Sequence, residues 1–175
     1  MGPKYQSESN LLKNLYATSI KTSYGSCGAV YNDRDEVVKL LLPAPIPALK
    51  KFLFGTTIKS NKPLEKALLS YFDGKNVDFG RFLVQLDGIS EFRKKVYKAL
   101  RKIKRGEVIS YRELSSRIGS PGAARAVGTA MAKNPVPLII PCHRVIRSNG
   151  EIGEFTSPGG AELKRIMQDI EKAMR

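Results

Sequence analysis

Residues 110–132 read SYRELSSRIGSPGAARAVGTAMA, and this pattern decides the fold of the second half of the chain. Ser110 and Glu113 have the spacing of a capping box at a helix start, and Gly119 predicts where that helix ends. Ser120-Pro121 is expected to start a second helix. A helix, a short glycine-containing turn and another helix are typical of a helix-turn-helix, although many helical hairpins share that outline.

The second of these helices carries unusually small side chains, mostly alanine and glycine. Such a helix can approach a partner very closely, and tight packing on another helix is as consistent with the pattern as insertion into DNA. Arg125 is the one long cation between Ala123 and Val127. In a DNA complex, Arg125 would therefore be the side chain that reaches into a groove or a base stack.

Residues 134–145, NPVPLIIPCHRV, follow directly and carry the candidate chemistry. Three prolines exclude a regular helix, so Cys142 and His143 are expected on a stiff turn after a buried apolar segment. A free thiol is only a few per cent ionised at neutral pH, so a nucleophilic cysteine needs a base or a cation beside it. His143 is the single histidine of the chain. On spacing alone, an inert buried cysteine is the more frequent alternative.

The composition of the chain indicates which partners it can attract and excludes some kinds of site. The chain has 175 residues and a formal net charge of +14, and residues 89–175 carry most of the excess. A field of that sign favours nucleic acid or an anionic membrane surface as the partner. No apolar run is long enough for a membrane span and no export signal is expected; with only two cysteines in the chain, a cytoplasmic, reducing setting is predicted. Two cysteines exclude a disulfide framework, and with one histidine they are too few for a structural zinc site.

The first half has the texture of a small α/β unit. Residues 14–42 contain short runs rich in Val, Ile, Tyr and Thr that predict strands, and the prolines from Pro43 onward are expected to stop the last strand. A short helix should follow around Leu49, and Pro63 should start a longer helix that Gly74 ends. In the second half, residues 90–104 are predicted to form a basic amphipathic helix that Gly106 ends.

Several ordered motifs then resemble the active-site signature of the O6-alkylguanine-DNA alkyltransferases, the methylated-DNA–protein-cysteine methyltransferases. PCHRV at 141–145 follows NPVP at 134–137 and ARAVG at 124–128. GEVISY at 106–111 and the Gly159-Gly160 pair before the last helix also match. The matches are correctly spaced across residues 90–171, whereas the first half fits the family only in length and texture.

The resemblance implies a two-domain α/β fold. Residues 1–85 would form a small antiparallel sheet with helices, similar to ribonuclease H. Residues 86–175 would form a helical domain that carries the helix-turn-helix and the reactive cysteine. The implied protein is a monomer that binds double-stranded DNA containing O6-alkylguanine and needs no cofactor or metal.

The resemblance also implies the roles of the residues in the reaction. Cys142 would accept the alkyl group as a stable thioether, so that each molecule reacts once. His143 would act as base through a bridging water, Glu171 would orient His143, and Asn134 would hold the turn to the recognition helix.

The resemblance implies DNA contacts as well. Arg125 would replace the flipped nucleotide in the stack, Tyr111 would help to rotate it, and the recognition helix would enter the minor groove. Backbone groups near Cys142 and Val145 would contact the guanine amine. The remaining expected contacts to DNA or base are Ala124, Arg144, Phe155, Thr156 and Ser157.

One departure from the family pattern concerns the loop after Gly153. Phe155 stands where many relatives carry tyrosine, and the connection to Gly159 is longer. Thr156 and Ser157 are therefore both candidates for the contact to O6.

Three functions other than alkyl transfer are alternatives for this sequence. A non-repairing lesion binder would typically lack the acceptor cysteine. A helix-turn-helix transcription factor would need polar base-contacting side chains on its second helix. A cysteine hydrolase is the third.

Overall fold

The computed structural model describes residues 14–172; residues 14–85 are called the N-terminal part and residues 86–172 the C-terminal part. The N-terminal part contains β1 (Tyr16–Thr22), β2 (Gly25–Tyr31), β3 (Val37–Ala44), α1 (Ile46–Leu53), β4 (Thr57–Ile58) and α2 (Lys62–Phe72). The C-terminal part contains α3 (Glu91–Leu100), β5 (Ile109–Ser110), α4 (Tyr111–Arg117), α5 (Ala124–Ala132), β6 (Val145–Ile146) and α6 (Gly160–Lys172). A single 3-10 turn covers Cys142–Arg144. The predicted mixed α/β architecture with a small antiparallel sheet is confirmed.

The four-stranded sheet has the order β3-β2-β1-β4. β1, β2 and β3 pair antiparallel, and the short β4 pairs parallel with β1. Helix α1 packs on β2 at Gly28, where a Cβ atom would come within 2.8 Å of Leu49 Cδ1. Since glycine has no side chain there, the helix can approach the sheet backbone closely.

β3 continues through Pro43 to Ala44, two residues beyond the expected end. It is an edge strand of the sheet, where proline costs no ladder hydrogen bond. Helix α2 begins as predicted, because the Asn61 side chain accepts a hydrogen bond from Leu64 N and Pro63 lies in the first turn. Its buried face, Leu64, Leu68, Tyr71 and Phe72, stabilises the fold by about 1.5–3 kcal/mol per large side chain.

Helix α3 is shorter than the periodicity predicted, since it ends at Leu100 and not at residue 104. Beyond that point, bonds such as Ile103 N to Leu100 O tighten the chain into a turn that buries Ile103. The Arg101 guanidinium donates to the carbonyls of Gly80 and Phe82. Tertiary contacts therefore end the helix before Gly106 is reached.

Helix α4 begins at Tyr111 as predicted and ends at Arg117, one residue before the expected end at residue 118, and the Ser110 hydroxyl accepts from Glu113 N at 3.0 Å. Helix α5 begins later than expected, at Ala124, because Gly122 has φ +86 and interrupts the helical conformation after Pro121. Residues 118–123 thus form the turn between two helices that pack against each other. β5 and β6 pair in parallel, with Ile109 opposite Val145, and join the start of α4 to the end of the 3-10 turn.

The two parts share one continuous apolar core. Leu40 N donates to Pro135 O at 2.9 Å, which ties β3 to the segment that precedes Cys142. Within residues 14–172, no helix is long and apolar enough to cross a membrane.

Candidate active site

Asn134 organises the turn that carries Cys142. Its backbone N–H donates to Met131 O at the end of α5, at 3.0 Å. Its side-chain Nδ2 donates to Ile140 O at 2.8 Å and lies 3.2 Å from Cys142 Sγ, while Oδ1 accepts from Val136 N. The Asn134 backbone thus joins this segment to the end of α5, and its carboxamide joins the proline-rich loop to the sulfur.

Cys142 lies in the wall of a cavity of about 550 Å³ between α4, α5 and the loop that precedes α6. Its exposed fraction is 4%. Burial raises the pKa of the thiol, while the hydrogen bond from Asn134 and the charge of Lys164 act in the opposite direction. The resting sulfur therefore holds its proton, and a base is needed to remove it.

Tyr111, Ala124, Arg125, Phe155 and Thr156 line this cavity together with Cys142. The Tyr111 ring lies against α5 at Gly128, where no side chain intervenes, and its hydroxyl approaches Gly153. The Thr156 hydroxyl donates to Ala132 O at 3.3 Å, which ties the loop to the end of α5.

Ser157 and Val145 lie outside this cavity. Ser157 lines a smaller cavity of about 170 Å³ on another side of Cys142, which Phe155 and Thr156 also line. Val145 is fully buried in β6.

His143 is fully buried behind Cys142, and its Nε2 lies 2.8 Å from Glu171 Oε1. A carboxylate can only accept, so Nε2 carries the proton and Nδ1 presents its lone pair. Within residues 14–172, Nδ1 has no hydrogen-bond partner. Gln168 donates to the His143 carbonyl at 2.7 Å, which fixes the backbone of the turn to α6. This tautomer gives a base on the side that Glu171 does not occupy.

Arg144 does not line the main cavity, although the sequence placed it among the DNA contacts. Its Nε and Nη2 each lie 2.9 Å from a Glu171 oxygen, and Nη1 donates to Ile103 O. Burial raises the pKa of Glu171, but bonds and charges from His143 and Arg144 outweigh it and hold that pKa well below the usual range. Glu171 is therefore a carboxylate at neutral pH.

The pH dependence of stability provides a first prediction. Burial lowers the pKa of His143 below its ordinary 6.5, more than the bond to Glu171 raises it. In the unfolded chain His143 therefore binds a proton at a pH at which the folded chain keeps it neutral. The free energy of unfolding thus decreases as pH falls through 6.5. We expect a loss of about 1 kcal/mol in the free energy of unfolding from about pH 7.5 to about pH 5.5.

Urea unfolding at the two pH values measures this loss, and His143→Gln is the control because the chain has no other histidine. The slope should flatten in that variant. An equal slope in both proteins would assign the pH dependence to other groups.

Lys164 is a member of the site that the sequence analysis missed. It is fully buried on α6, its Nζ donates to Ile152 O at 2.6 Å, and it lies 5.9 Å from the Tyr111 ring centre. Burial lowers the pKa of Lys164 to about 8, so the amine is still mainly charged at neutral pH. In the sequence, Lys164 stands beside Leu163 and near Met167 on the apolar face of α6, but a lysine on such a helix is normally exposed. Within residues 14–172, no group of three or more His, Cys, Asp or Glu could hold a metal ion.

The sequence is similar to a known family model and to several characterised proteins. The sequence model of the 6-O-methylguanine DNA methyltransferase DNA-binding domain matches residues 91–173. The methylated-DNA–protein-cysteine methyltransferase of Metallosphaera sedula is 42% identical over 111 residues, 63% of this chain and 67% of the relative. That of Methanothermobacter thermautotrophicus is 36% identical over 145 residues, 82% of this chain and 78% of the relative. The Mycobacterium tuberculosis relative is 43% identical but matches over only 62% of its length.

Solved structures agree over nearly the whole chain. The Mycobacterium tuberculosis OGT in complex with DNA has a TM-score of 0.77 at 31% identity, covering 90% of this chain and 93% of that one. The O6-methylguanine-DNA methyltransferase of Pyrococcus kodakaraensis has a TM-score of 0.69 at 26% identity, covering 90% and 98%. The resemblance noted in the sequence is thereby confirmed: the chain belongs to the methylated-DNA–protein-cysteine methyltransferase family.

Proposed function

We propose that this protein repairs DNA directly by transferring an alkyl group from O6 of guanine to Cys142. One observation carries the proposal: Cys142 lines a cavity beside a small-residue helix, and the next residue of the same turn, His143, forms a buried pair with Glu171. The family membership and the DNA complex of a relative support the same reaction.

The chemistry begins with removal of the thiol proton by His143 Nδ1, directly or through one water. Glu171 stabilises the imidazolium that forms, because its carboxylate accepts from Nε2. Charge on the sulfur is stabilised by the Asn134 amide and the Lys164 ammonium. Proton removal by His143 thus allows the thiolate to form although burial raises the pKa of the Cys142 thiol.

The thiolate then attacks the alkyl carbon. An S–C bond forms, the C–O6 bond breaks with its electrons on the purine, and the purine takes up one proton, which balances the proton removed from the thiol, to become guanine. The electrophilic carbon comes with the substrate, so the scheme needs no cofactor. A thioether is a poor leaving group, so each molecule would react once.

Access to O6 requires that the nucleotide leave the duplex, at a cost of a few kcal/mol. We assign this step to α4 and α5, acting as a helix-turn-helix whose second helix enters the minor groove. Arg125 is exposed at the mouth of the cavity, where it can occupy the vacated stack. The net charge of +14 supplies phosphate contacts that are independent of sequence.

We also propose that the chain consists of two domains, an N-terminal α/β domain of residues 1–85 and a C-terminal DNA-binding domain of residues 86–175. The whole sheet β1–β4 lies in the first part and helices α3–α6 in the second, which supports that division. A ribonuclease H-like topology for the first part stays a prediction.

Stoichiometry tests the proposal. Incubated with excess duplex containing O6-methylguanine, each protein molecule should gain the mass of one methyl group and restore one guanine. Intact-mass analysis together with nucleoside analysis measures both quantities. An unchanged mass despite tight lesion binding would contradict the proposal, and so would many guanines restored per protein.

Arg125→Ala should slow repair of duplex far more than reaction with free O6-benzylguanine, because only the duplex substrate must lose a stacked base. We expect about a tenfold loss at saturating duplex, since about 1.4 kcal/mol of the unstacking cost would no longer be offset.

The control is Arg117→Ala, which removes an equal charge from neighbouring α4. It should weaken binding at most and leave the saturated rate unchanged. Equal losses on both substrates in Arg125→Ala would show that Arg125 has a structural role instead.

A further inference from the structure

Tyr71 belongs to α2 in the N-terminal part, yet its hydroxyl reaches the site built by the C-terminal part. The side chain is 1% exposed. Its Oη lies 3.2 Å from Glu171 Oε1 and 3.3 Å from Met167 O. A hydroxyl has one proton, and a carboxylate is a stronger acceptor than a carbonyl, so the bond to Glu171 is favoured.

The oxygen that Tyr71 contacts is the one that faces His143. Oε1 of Glu171 also meets His143 Nε2 at 2.8 Å and Arg144 Nη2 at 2.9 Å. Three donors thus share one carboxylate oxygen. A hydroxyl on that oxygen fixes the plane of the carboxylate and withdraws part of the electron density available to His143.

We propose that Tyr71 is a positioning residue for alkyl transfer, whose hydroxyl holds Glu171 so that His143 stays neutral with Nδ1 open towards Cys142. The inference rests on the function proposed above. It makes the N-terminal part a contributor to the chemistry and not only to the fold.

The hydroxyl can fill this role over a wide pH range. Burial, and then the charge of Glu171, raise the pKa of Tyr71 well above its usual value, so that it stays a donor. The other charged groups around the pair come from three elements. The Arg105 guanidinium, from the segment after α3, lies 5.4 Å from the Tyr71 ring centre. Arg144 from the 3-10 turn and Lys164 from α6 both oppose protonation of His143.

The ring and the hydroxyl of Tyr71 can be tested separately. The ring packs edge-on against Phe72 and Phe79, with centroids 5.2 and 5.7 Å away, and lies 6.5 Å from the His143 ring. Tyr71→Phe keeps these contacts and removes the hydroxyl alone. Tyr31→Phe is the matched control, because the buried Tyr31 hydroxyl donates to Lys59 O at 2.8 Å, away from Glu171.

The first readout is the pH profile of alkyl transfer from free O6-benzylguanine in the full chain. Without the hydroxyl, Glu171 attracts the His143 proton more strongly, so the acid limb of the profile should move to higher pH. The rate at neutral pH should fall about threefold to tenfold, the value of one hydrogen bond. Tyr31→Phe should lower stability to a similar extent and leave the profile in place.

The second readout needs no activity. His143 is the chain's single histidine, so its ring resonances can be assigned without ambiguity. In Tyr71→Phe the Nε2 proton should move downfield, as its bond to Glu171 strengthens. A profile and a resonance identical to wild type, or shifted equally by Tyr31→Phe, would overturn the inference. Should wild type transfer no alkyl group, the proposed function fails, and the resonance alone decides whether Tyr71 acts on the pair.

Discussion

Replacing Cys142 with alanine should abolish alkyl transfer completely while duplex binding persists. Under the proposed function the acceptor sulfur is lost, whereas the phosphate contacts would depend on lysines and arginines elsewhere. Intact mass after incubation with O6-methylguanine duplex measures the first effect, and a salt titration of binding to the same duplex measures the second.

The matched control is Cys27→Ala, which removes the other cysteine of the chain. Cys27 is fully buried in β2, and burial raises its pKa to about 12, so it is neither accessible nor ionised at neutral pH. This variant should still take up one alkyl group. A Cys142→Ala protein that gained the methyl mass would move the acceptor to another residue.

Replacing Glu171 with glutamine should have the second largest effect, on both stability and rate. The change leaves the Arg144 guanidinium without its anion, and removing one partner of a buried pair costs about 3–5 kcal/mol. The imidazolium of His143 loses its counter-charge as well. We expect alkyl transfer to slow about 100-fold, the lower end of what assistance by a base contributes.

Urea unfolding and single-turnover kinetics measure these two effects. Glu162→Gln on the same helix is the control, since its pair with Arg165 is more than half exposed. That pair should contribute at most about 1 kcal/mol and leave the rate unchanged. Equal unfolding midpoints for wild type and Glu171→Gln would show that the Glu171–Arg144 pair adds nothing to stability.

The sequence predicted best those features that depend on neighbours along the chain. The limits of α4 follow from the Ser110 cap and Gly119, because both act through hydrogen bonds or backbone angles within one turn. The end of α3 was missed because the Arg101 bonds to Gly80 and Phe82 and the burial of Ile103 form only in the folded chain. Helix α5 starts later than predicted because Gly122 adopts the left-handed conformation, which the Ser120-Pro121 pattern does not reveal.

In the candidate site as well, contacts between neighbours in the sequence could be predicted, whereas contacts between distant residues could not. Cys142 and His143 are adjacent, so their pattern was visible, and family resemblance supplied Glu171. The roles given to these residues stay predictions. Tyr71 lies 100 residues from Glu171, and no local spacing could have joined them. Lys164 was hidden for another reason, because a lysine on an amphipathic helix is normally a surface residue.

The short β5–β6 ladder has a consequence for how lesions would be selected. Together with the bond from Asn134 N to Met131 O, it ties the start of α4 and the end of α5 to the turn that carries Cys142. Under the proposed function, α4, α5 and the Cys142 sulfur would therefore meet DNA as one connected unit. Discrimination then falls to the double helix, and a weakly paired nucleotide would be repaired sooner because it opens more often.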